Sequence, residues 1–365
     1  MTIQTPAGAS RSDMAGARAP ATTASRPALT VIVPAYNEAA SIADTIASLL
    51  AQTTPPETII VVDDGSTDAT GEIARSFGVT VVRPARNTGS KAGAQNFALP
   101  LVTTPFVMAI DADTTLDHDA IELLSRSFDD ASIAAACGFV IPRYVKSVWE
   151  RGRYIEYLFA FTFYKRVQDH YGRPLISSGC FSMYRTAILR AEGGWPTRTL
   201  AEDMDLTWSF YRSGHGVRFV PEAVSNPIEP HTYAFLAKQL RRWSHGFVQN
   251  VSLHWRGISG IPYLRSAVAV ATWDAVIAST LYLIILPIAA VVFGNPWLLL
   301  GYLIDAPALL VPVLAGAVPR REVGRALASF PAFFIIRSVN AVFFVEAVWS
   351  EWILRKSFLT YEKGH

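Results

Sequence analysis

The chain has 365 residues, a formal net charge of +2 and 51% hydrophobic residues. A net charge this close to zero argues against a dedicated nucleic-acid-binding protein, which usually carries a strong basic excess. The charged fraction of 17% is low for an ordinary soluble enzyme, and most of the apolar excess lies after residue 265. The two cysteines, Cys137 and Cys180, have no CxxC or CxxH spacing. The sequence therefore indicates neither a disulfide framework nor a zinc site, and we expect two reduced thiols.

The first 28 residues are rich in Ala, Ser, Thr and Pro and contain no apolar run. This composition predicts a disordered tail. It also lacks the apolar core of a signal peptide, so we expect the following domain to stay in the cytoplasm.

From residue 29 onward, short apolar strands alternate with helical patterns. The strand segments LTVIVPAY, ETIIVVDD, VTVV and TPFVMAI are nearly continuous in apolar residues. This alternation predicts an α/β domain over residues 29–230, with a parallel sheet that helices cover on both faces. Ligands of such sheets bind beyond the carboxyl ends of the strands. The polar residues that fall at these ends are Tyr36, Asn37, Glu38, Asp63, Asp64, Lys91, Asp111 and Asp113.

Three of these polar clusters have both a chemical and a structural interpretation. Asp111 and Asp113 could hold a divalent cation that bridges phosphates, or they could form a solvated acidic turn. Asp63 and Asp64 could bind a nucleobase or ribose, although the Gly-Ser-Thr that follows is also typical of a turn and helix start. Lys91 opens a helix from a glycine-bearing loop, where it would suit a diphosphate or be an ordinary surface lysine.

A further acidic cluster, AEDMD at residues 201–205, precedes the helical segment DLTWSFYRSG. The helix dipole stabilises a carboxylate at this position, so a structural role accounts for one of the three. Three carboxylates exceed what capping needs, and one at the floor of a cleft could act as a general base toward a hydroxyl.

Two amphipathic segments precede the most apolar part of the chain. Residues 148–171 combine aromatic and basic side chains, which suits a helix in a membrane interface, with a buried core helix as the alternative. In KQLRRWSHG, residues 238–246, helical spacing places Gln239, Arg242 and Trp243 on one side of a turn. Residues 231–264 are accordingly expected to form interface helices.

The last hundred residues, 265–365, contain three apolar segments of about the length of a bilayer span, at 276–293, 296–318 and 327–349. The arginine-rich loop 319–325 between the last two is predicted to be cytoplasmic, together with the N-terminal domain. The basic C-terminal tail would then lie outside, and a re-entrant third segment would avoid this. Asp305 and Arg337 reach similar depths in neighbouring segments, so we expect them to form an ion pair. Arg337 and Glu346 are nine residues apart and point in opposite directions.

Seven motifs occur in an order that resembles a known enzyme family. They are VIVPAYNE, VVDDGSTD, KAG, DAD, SGCFSMYR, AED and QLRRW, and they extend over about residues 29–255. The set is similar to the processive membrane β-glycosyltransferases of glycosyltransferase family 2, such as poly-N-acetylglucosamine, chitin, hyaluronan and cellulose synthases. The resemblance implies a GT-A type, Rossmann-like nucleotide-sugar domain followed by interface helices and C-terminal transmembrane helices.

The resemblance also implies roles for individual residues. The donor would be bound by Pro34, Tyr36, Glu38, Asp63 or Asp64, Lys91, Asp111, Gln239, Arg242 and Trp243. Magnesium or manganese would be held by Asp111 and Asp113. Asp203 would be the catalytic base, although Ala201 stands where the family has Thr or Gly. The acceptor side would comprise Ser178, Gly179, Cys180, Glu202 and Trp243.

The implied reaction is an inverting transfer of a sugar from a UDP-sugar, with N-acetylglucosamine as the favoured donor sugar and glucose behind it. The expected acceptor is a growing β-linked polysaccharide at the cytoplasmic face of the plasma membrane. Transfer to a lipid-linked acceptor is the alternative, because three spans are few for a translocation channel. A partner subunit or a homo-oligomer would also account for this, and a catalytically silent nucleotide-sugar-binding protein is the alternative from another class.

Overall fold

The computed structural model describes residues 28–273 and 280–358. The tail predicted at residues 1–28 lies outside the described residues except for its last residue. The described chain forms one eight-stranded sheet with helices on both faces, followed by a helical C-terminal part.

The first half of the sheet is parallel, as the sequence predicts. Its elements are β1 Leu29–Ala35, α1 Ile42–Leu50, β2 Thr58–Asp63, α2 Thr70–Ser76, β3 Thr80–Val82, α3 Lys91–Ala98 and β4 Phe106–Ile110. Val31 pairs with Ile59 of β2 on one side and with Met108 of β4 on the other. All three side chains are at most 5% exposed, because helices cover both faces of the sheet.

The second half of the sheet is mixed, so the prediction of a parallel sheet is wrong there. The elements are β5 Thr114–Leu116, α4 Ala120–Ser125, β6 Ile133–Val140, α5 Val148–Phe159, α6 Lys165–His170, β7 Phe181–Arg185, α7 Thr186–Ala191, α8 Glu202–Arg212 and β8 Gly216–Pro227. The strand order is β3-β2-β1-β4-β7-β6-β8-β5, and β7 runs antiparallel to both neighbours. Phe181, where β7 begins, pairs with Ile110, where β4 ends. The loop before β7 therefore lies at the same edge of the sheet as Asp111 and Asp113, which follow β4.

The segment predicted as helical at 148–171 is a helix from Val148 to His170, in which a π-helical turn, Ala160–Tyr164, joins α5 to α6. Ser147 caps its start, and Glu150 reaches back to the Ser147 backbone N–H. This reciprocal arrangement satisfies two N–H groups that a helix start leaves unpaired.

The C-terminal part is helical. It contains α9 Tyr233–Ile258, α10 Leu264–Trp273, a π-helical turn Leu281–Ile285 that leads into α11 Leu286–Val292, a 3-10 segment Pro296–Leu303, α12 Ala306–Ala317 and α13 Val323–Val348, which continues as a π-helical turn Trp349–Ile353. Two described helices are long and apolar enough to cross a membrane by length and composition, Pro296–Ala317 and Val323–Ile353. The predicted segment 276–293 lies partly outside the described residues, and its described helix, Leu281–Val292, is shorter than a span.

The expected pair between Asp305 and Arg337 is present. The Arg337 guanidinium meets both carboxylate oxygens of Asp305, with N–O distances of 2.8 and 2.7 Å. Glu346 is bound elsewhere, by Arg241 of α9 at 3.1 Å, as expected from its separation from Arg337.

The helix α13 packs directly on α5 and α9. A side chain in place of Gly152 of α5 would lie 3.0 Å from the carbonyl oxygen of Ala332, so a glycine is needed for this close approach. At the start of α13, the Tyr154 hydroxyl donates a hydrogen bond of 2.9 Å to Glu322. The C-terminal helices are therefore fixed to the α/β domain through polar as well as apolar contacts.

Candidate active site

A cleft of about 430 Å³ opens at the carboxyl ends of β1, β2 and β4. Most of the residues predicted to bind the donor or the metal line it, namely Pro34, Tyr36, Glu38, Asp64, Lys91, Asp111, Asp113, Gln239 and Arg242. These residues come from five separate segments of the chain. The cleft lies where ligands of open α/β sheets bind.

The two neighbouring carboxylates after β2 have different surroundings. Asp64 lines the cleft, and its two oxygens accept hydrogen bonds of 2.8 Å from the backbone N–H and the hydroxyl of Thr88. Asp63 is 1% exposed and is held by Arg83 at 2.7 Å and by the N–H of Ser66 at 3.0 Å. Of the two candidates for contacting the nucleoside, the geometry favours Asp64.

Lys91 is the first residue of α3 and connects several parts of the site. Its ammonium group forms an ion pair with Asp111 and donates a hydrogen bond of 2.9 Å to the carbonyl oxygen of Gly179. The carboxylate of Glu202 lies 4.0 Å away. Lys91 therefore lies between Asp111, at the carboxyl end of β4, and the loop before β7.

The acidic pair after β4 has a composition that suits magnesium or manganese. Asp111 and Asp113 both line the cleft, as does Ile228. Within residues 28–273 and 280–358, no group of three or more His, Cys, Asp or Glu side chains could hold a metal. Magnesium is commonly held by one or two carboxylates together with phosphate oxygens of a substrate. The two aspartates fit a metal of this kind, in which the substrate completes the coordination.

Asp203 lies in the first turn of α8, as its acidic cluster predicts. One carboxylate oxygen accepts a hydrogen bond from the N–H of Gly179, and the other accepts one from the N–H of Met204, both at 2.8 Å. A carboxylate offers about four acceptor positions, so two remain for a further partner. Gly179 thus binds Asp203 through its N–H and Lys91 through its carbonyl group.

Glu202 is 7% exposed and adjoins Asp203. Burial and the neighbouring Asp203 carboxylate raise the pKa of Glu202, and Lys91 and Arg242 oppose this rise. The pair therefore combines a carboxyl group whose pKa is raised with a half-buried one held by backbone N–H groups.

The loop Ser178–Cys180 is anchored by a lysine that the sequence did not single out. Lys165 is 5% exposed, and its ammonium group donates a hydrogen bond of 2.7 Å to the Ser178 hydroxyl. Cys180 is half-buried, and burial raises the pKa of its thiol, as does the charge of Asp111. The thiol is therefore protonated at neutral pH and is unsuited to act as a nucleophile. Both described cysteines are free, as expected.

The helix α9 supplies the other wall of the cleft. Gln239 and Arg242 line it, and the side-chain oxygen of Gln239 is buried with no hydrogen-bond partner among the described residues. A buried acceptor without a partner is costly, so this oxygen is suited to accept a hydrogen bond from a ligand. Trp243 is 36% exposed and packs against Arg153 of α5, whose guanidinium carbon lies 4.4 Å from the ring centroid.

The same helix holds the segment before Asp203. The Asn250 amide donates to the carbonyl oxygen of Ala201 at 3.1 Å, and the Gln249 side chain accepts from the N–H of Leu200 at 3.1 Å. A side chain in place of Gly246 would lie 2.7 Å from the Ala201 side chain. The start of α8 is therefore positioned by α9. The sequence predicts a role in the site for the QLRRW motif of this helix, but not for Gly246, Gln249 or Asn250.

A cluster of ionisable side chains, buried at Asp205 and His254 and exposed at Arg198, joins α8 and α9 behind the site. Asp205 accepts hydrogen bonds from His254 at 2.7 Å and from Arg198 at 2.8 and 2.7 Å. Burial raises the pKa of Asp205, but the hydrogen bonds from His254 and Arg198 outweigh it and lower the pKa overall. Of the three carboxylates in the acidic cluster, this one has a structural role.

The structure combines a mixed sheet covered by helices with a nucleotide-sized cleft. Paired aspartates and a lysine line this cleft at the carboxyl edge of the sheet. These features are those of a GT-A-like, Rossmann-type domain. Residues 30–192 match the family model described as glycosyl transferase family 2. This part of the chain is therefore similar to the family 2 glycosyltransferases, and the predicted resemblance to that family is confirmed over residues 30–192.

Two curated relatives extend this match. The chain is 30% identical over 223 residues to poly-beta-1,6-N-acetyl-D-glucosamine synthases from Staphylococcus epidermidis and from Staphylococcus aureus strain COL. In each case the alignment covers 60% of this chain and 54% of the relative. The chain thus spans about half the length of these relatives, and the resemblance to this group of synthases is confirmed over that part.

A solved structure shows a similar fold over most of the chain. The mannosyltransferase PcManGT from Pyrobaculum calidifontis, in complex with GDP-Man and Mn2+, is 21% identical with a TM-score of 0.58. The match covers 90% of this chain and 88% of that one. The similarity supports the GT-A-like fold and includes much of the helical C-terminal part.

Proposed function

We propose that this glycosyltransferase moves a hexose from a UDP-sugar onto a β-linked polysaccharide, with inversion at the anomeric carbon. The observation that carries the proposal is the position of Gly179 between Lys91 and Asp203. A cation suited to a diphosphate and a carboxylate suited to a hydroxyl are thereby fixed on either side of one residue. Transfer from a nucleoside diphosphate sugar to a hydroxyl is accelerated when the groups that contact the two reactants are held in a fixed geometry.

The donor occupies the cleft in this proposal. Tyr36, Glu38 and Asp64 contact the uridine, with Pro34 shaping the loop that carries them. Lys91 and Arg242 are the cations nearest the diphosphate. Gln239 accepts a hydrogen bond from the donor through its unpartnered side-chain oxygen.

Asp111 and Asp113 would hold magnesium or manganese, and the Mn2+ in the solved structure of the mannosyltransferase PcManGT supports a divalent metal. When bound, such a metal neutralises charge on the diphosphate leaving group.

Asp203 acts as the general base. Its free acceptor positions take the proton of an acceptor hydroxyl, whose oxygen forms a bond to the anomeric carbon as the bond to the diphosphate breaks. Lys91 and Arg242 stabilise the charge that develops on the departing UDP. A single displacement of this kind converts an α-linked donor into a β-linked product. Ser178, Gly179, Cys180, Glu202 and Trp243 form the acceptor side.

The sugar that we favour is N-acetylglucosamine, because the two synthases reported above carry it in their names. Transfer to a lipid-linked acceptor is the second candidate, and product length distinguishes it from polymer synthesis. Assembly with a partner subunit or with further copies of this chain would suit a polymerising enzyme with few spans.

We also propose that the protein lies in the plasma membrane with its catalytic domain in the cytoplasm. The helices Pro296–Ala317 and Val323–Ile353 are the candidate spans. The exposed aromatic side chains Phe163 and Tyr164 lie in the π-helical turn between α5 and α6, and the exposed Tyr171 follows α6, which suits a membrane interface. The Arg320 guanidinium in the loop between α12 and α13 lies 3.9 Å from the ring centroid of Phe139, so this loop contacts the catalytic domain. That contact supports a common side for the loop and the domain.

The proposal is tested with purified protein in nanodiscs, magnesium or manganese, and radiolabelled UDP-N-acetylglucosamine or UDP-glucose. Asp203→Asn is expected to lower turnover by about 10²- to 10⁴-fold, the usual contribution of a general base, while UDP still binds. Asp119→Asn is the matched control, because Asp119 makes no side-chain capping hydrogen bond to α4.

A long, Asp203-dependent polymer from one donor supports polysaccharide synthesis. Short or lipid-extractable product favours the lipid-linked acceptor. Full turnover by Asp203→Asn would contradict the assignment of the base, and failure of the wild type to transfer either sugar would contradict the proposed donor class.

A further inference from the structure

Arg153 is a fully buried cation beside the acceptor side of the site. It projects from α5, is 0% exposed, and its guanidinium carbon lies over the ring of Trp243 at 4.4 Å from the centroid. An arginine over an indole face is the preferred geometry for cation–π attraction. Trp243 keeps 36% of its surface exposed, so a ligand can reach only the ring surface that Arg153 leaves open.

The guanidinium is held in this position by three further contacts. Its Nε donates to Glu229 at 3.2 Å, and its two terminal nitrogens donate to Glu156 at 2.6 Å and to the Tyr157 hydroxyl at 2.9 Å. The Tyr157 hydroxyl in turn donates to Glu229 at 2.7 Å. A planar group with five donors can make these bonds and still present a flat face to an indole, whereas an ammonium group cannot.

Burying this cluster of charged groups carries a large desolvation cost, which suggests that the cluster has a role besides stability. The free-energy cost of removing a guanidinium and a carboxylate such as Glu229 from water often exceeds the attraction between the two charges. Apolar residues in such positions often give equal stability. The apolar α13 reaches the same cluster, because the Asn340 amide donates to Glu156 at 3.2 Å. The cluster therefore connects Trp243 to α5, to the segment after β8 and to α13.

We propose that Arg153 is a positioning residue that fixes the Trp243 ring, so that one defined face receives a sugar of the acceptor. This inference rests on the proposed function for the identity of the acceptor as a glycan. It assigns to Arg153 no contact with the donor, since the cleft walls on that side are formed by Gln239 and Arg242. Loss of the stack therefore weakens acceptor binding selectively.

The test compares Arg153→Lys, which keeps the charge, with Tyr157→Phe, which removes one of the contacts that hold the guanidinium. Both are expected to raise the KM for an oligosaccharide acceptor, Arg153→Lys by about tenfold, with the KM for the UDP-sugar and the slow acceptor-independent release of UDP unchanged. Arg241→Met is the matched control. Arg241 is a cation on α9, the helix that carries Trp243. It is bound to Glu346, on the side of α9 that faces α13.

A second readout does not depend on turnover. The protein is labelled with 5-fluorotryptophan, and the ¹⁹F signal of Trp243 is assigned by its loss in Trp243→Phe. We expect this signal to shift or broaden in Arg153→Lys and to remain unchanged in Arg241→Met. An unaltered Trp243 signal in folded Arg153→Lys would overturn the inference, and so would an equal rise in KM for donor and acceptor. A wild type that transfers no sugar would contradict the proposed function alone, because the ¹⁹F comparison still reports on the position of the ring.

Discussion

The peptide group at Gly179 offers the sharpest test of how the candidate base is positioned. A methyl group in Gly179→Ala would lie 2.8 Å from a carboxylate oxygen of Asp203 and 3.3 Å from its Cβ. The backbone of Asp203 is fixed in the first turn of α8, so the carboxylate must rotate or the loop must retreat. Restoring ordinary contact requires a movement of about half an ångström, which strains the 2.8 Å hydrogen bond from the Gly179 N–H.

The magnitude follows from the kind of contact that is lost. A hydrogen bond to a charged group contributes about 1.5–3 kcal/mol, and each 1.4 kcal/mol corresponds to a factor of about ten in rate. We therefore expect Gly179→Ala to lower kcat by about 10- to 100-fold. Because Gly179 also accepts from Lys91, the KM for the donor is expected to rise as well.

The assay measures kcat and donor KM with the labelled UDP-sugar, together with the thermal unfolding midpoint. Gly324→Ala is the matched control, because a side chain there meets no atom within 4 Å and alanine is favourable in a helix. If Gly179→Ala folded normally and kept kcat within about twofold of wild type, then Asp203 would not be positioned by Gly179, since the lost bond alone predicts a larger effect.

Two further predictions concern charge away from the Gly179 contact. Asp305→Asn removes the carboxylate that pairs with Arg337. Because the Asp305 and Arg337 side chains are 33% and 21% exposed, we expect the free energy of unfolding to fall by only about 1–2 kcal/mol, with Arg337→Met in the same chain restoring most of it; no change in the unfolding midpoint would contradict the importance of this pair. Glu202 has a pKa that is raised above its ordinary value of 4.5 in the folded state, so its stabilising contribution is complete below pH 4.5 and is lost as the pH rises through the folded pKa. Glu202→Gln should therefore become progressively more stable relative to wild type above pH 4.5 in a series of unfolding midpoints, and a difference that does not vary with pH would contradict this.

The sequence predicts those parts of the site that depend on local patterns. Strand ends can be located from apolar runs, and polar residues at several parallel strand ends must meet at one edge. This reasoning correctly brings Lys91 and Asp111 together. The predicted ion pair between Asp305 and Arg337 is also confirmed. Because the rise per residue of a helix is fixed, residues at similar distances from the connecting loop reach similar depths in neighbouring helices.

The parts that the sequence does not predict depend on partners far along the chain. The direction of β7 cannot be obtained from its apolar pattern, since antiparallel and parallel buried strands look alike. The choice between Asp63 and Asp64 is made by Arg83 and Thr88, which approach from another segment. Arg153 is one of two arginines in the amphipathic helix α5, and only the packing of α9 against α5 distinguishes it.

The same dependence on distant contacts connects the candidate base to the end of the apolar helix. Gln249 of α9 accepts from the backbone N–H of Leu200, three residues before Asp203, and its amide nitrogen donates to Glu351 at 2.8 Å. Glu351 lies in the π-helical turn that continues α13, and it also contacts His245 at 2.9 Å. A displacement of the end of α13 must therefore break these bonds or move α9, and α9 holds the segment that carries Asp203. Since α9 also presents Gln239 and Arg242 to the cleft, one helix transmits the position of the apolar C-terminal part to the donor side and to the base together.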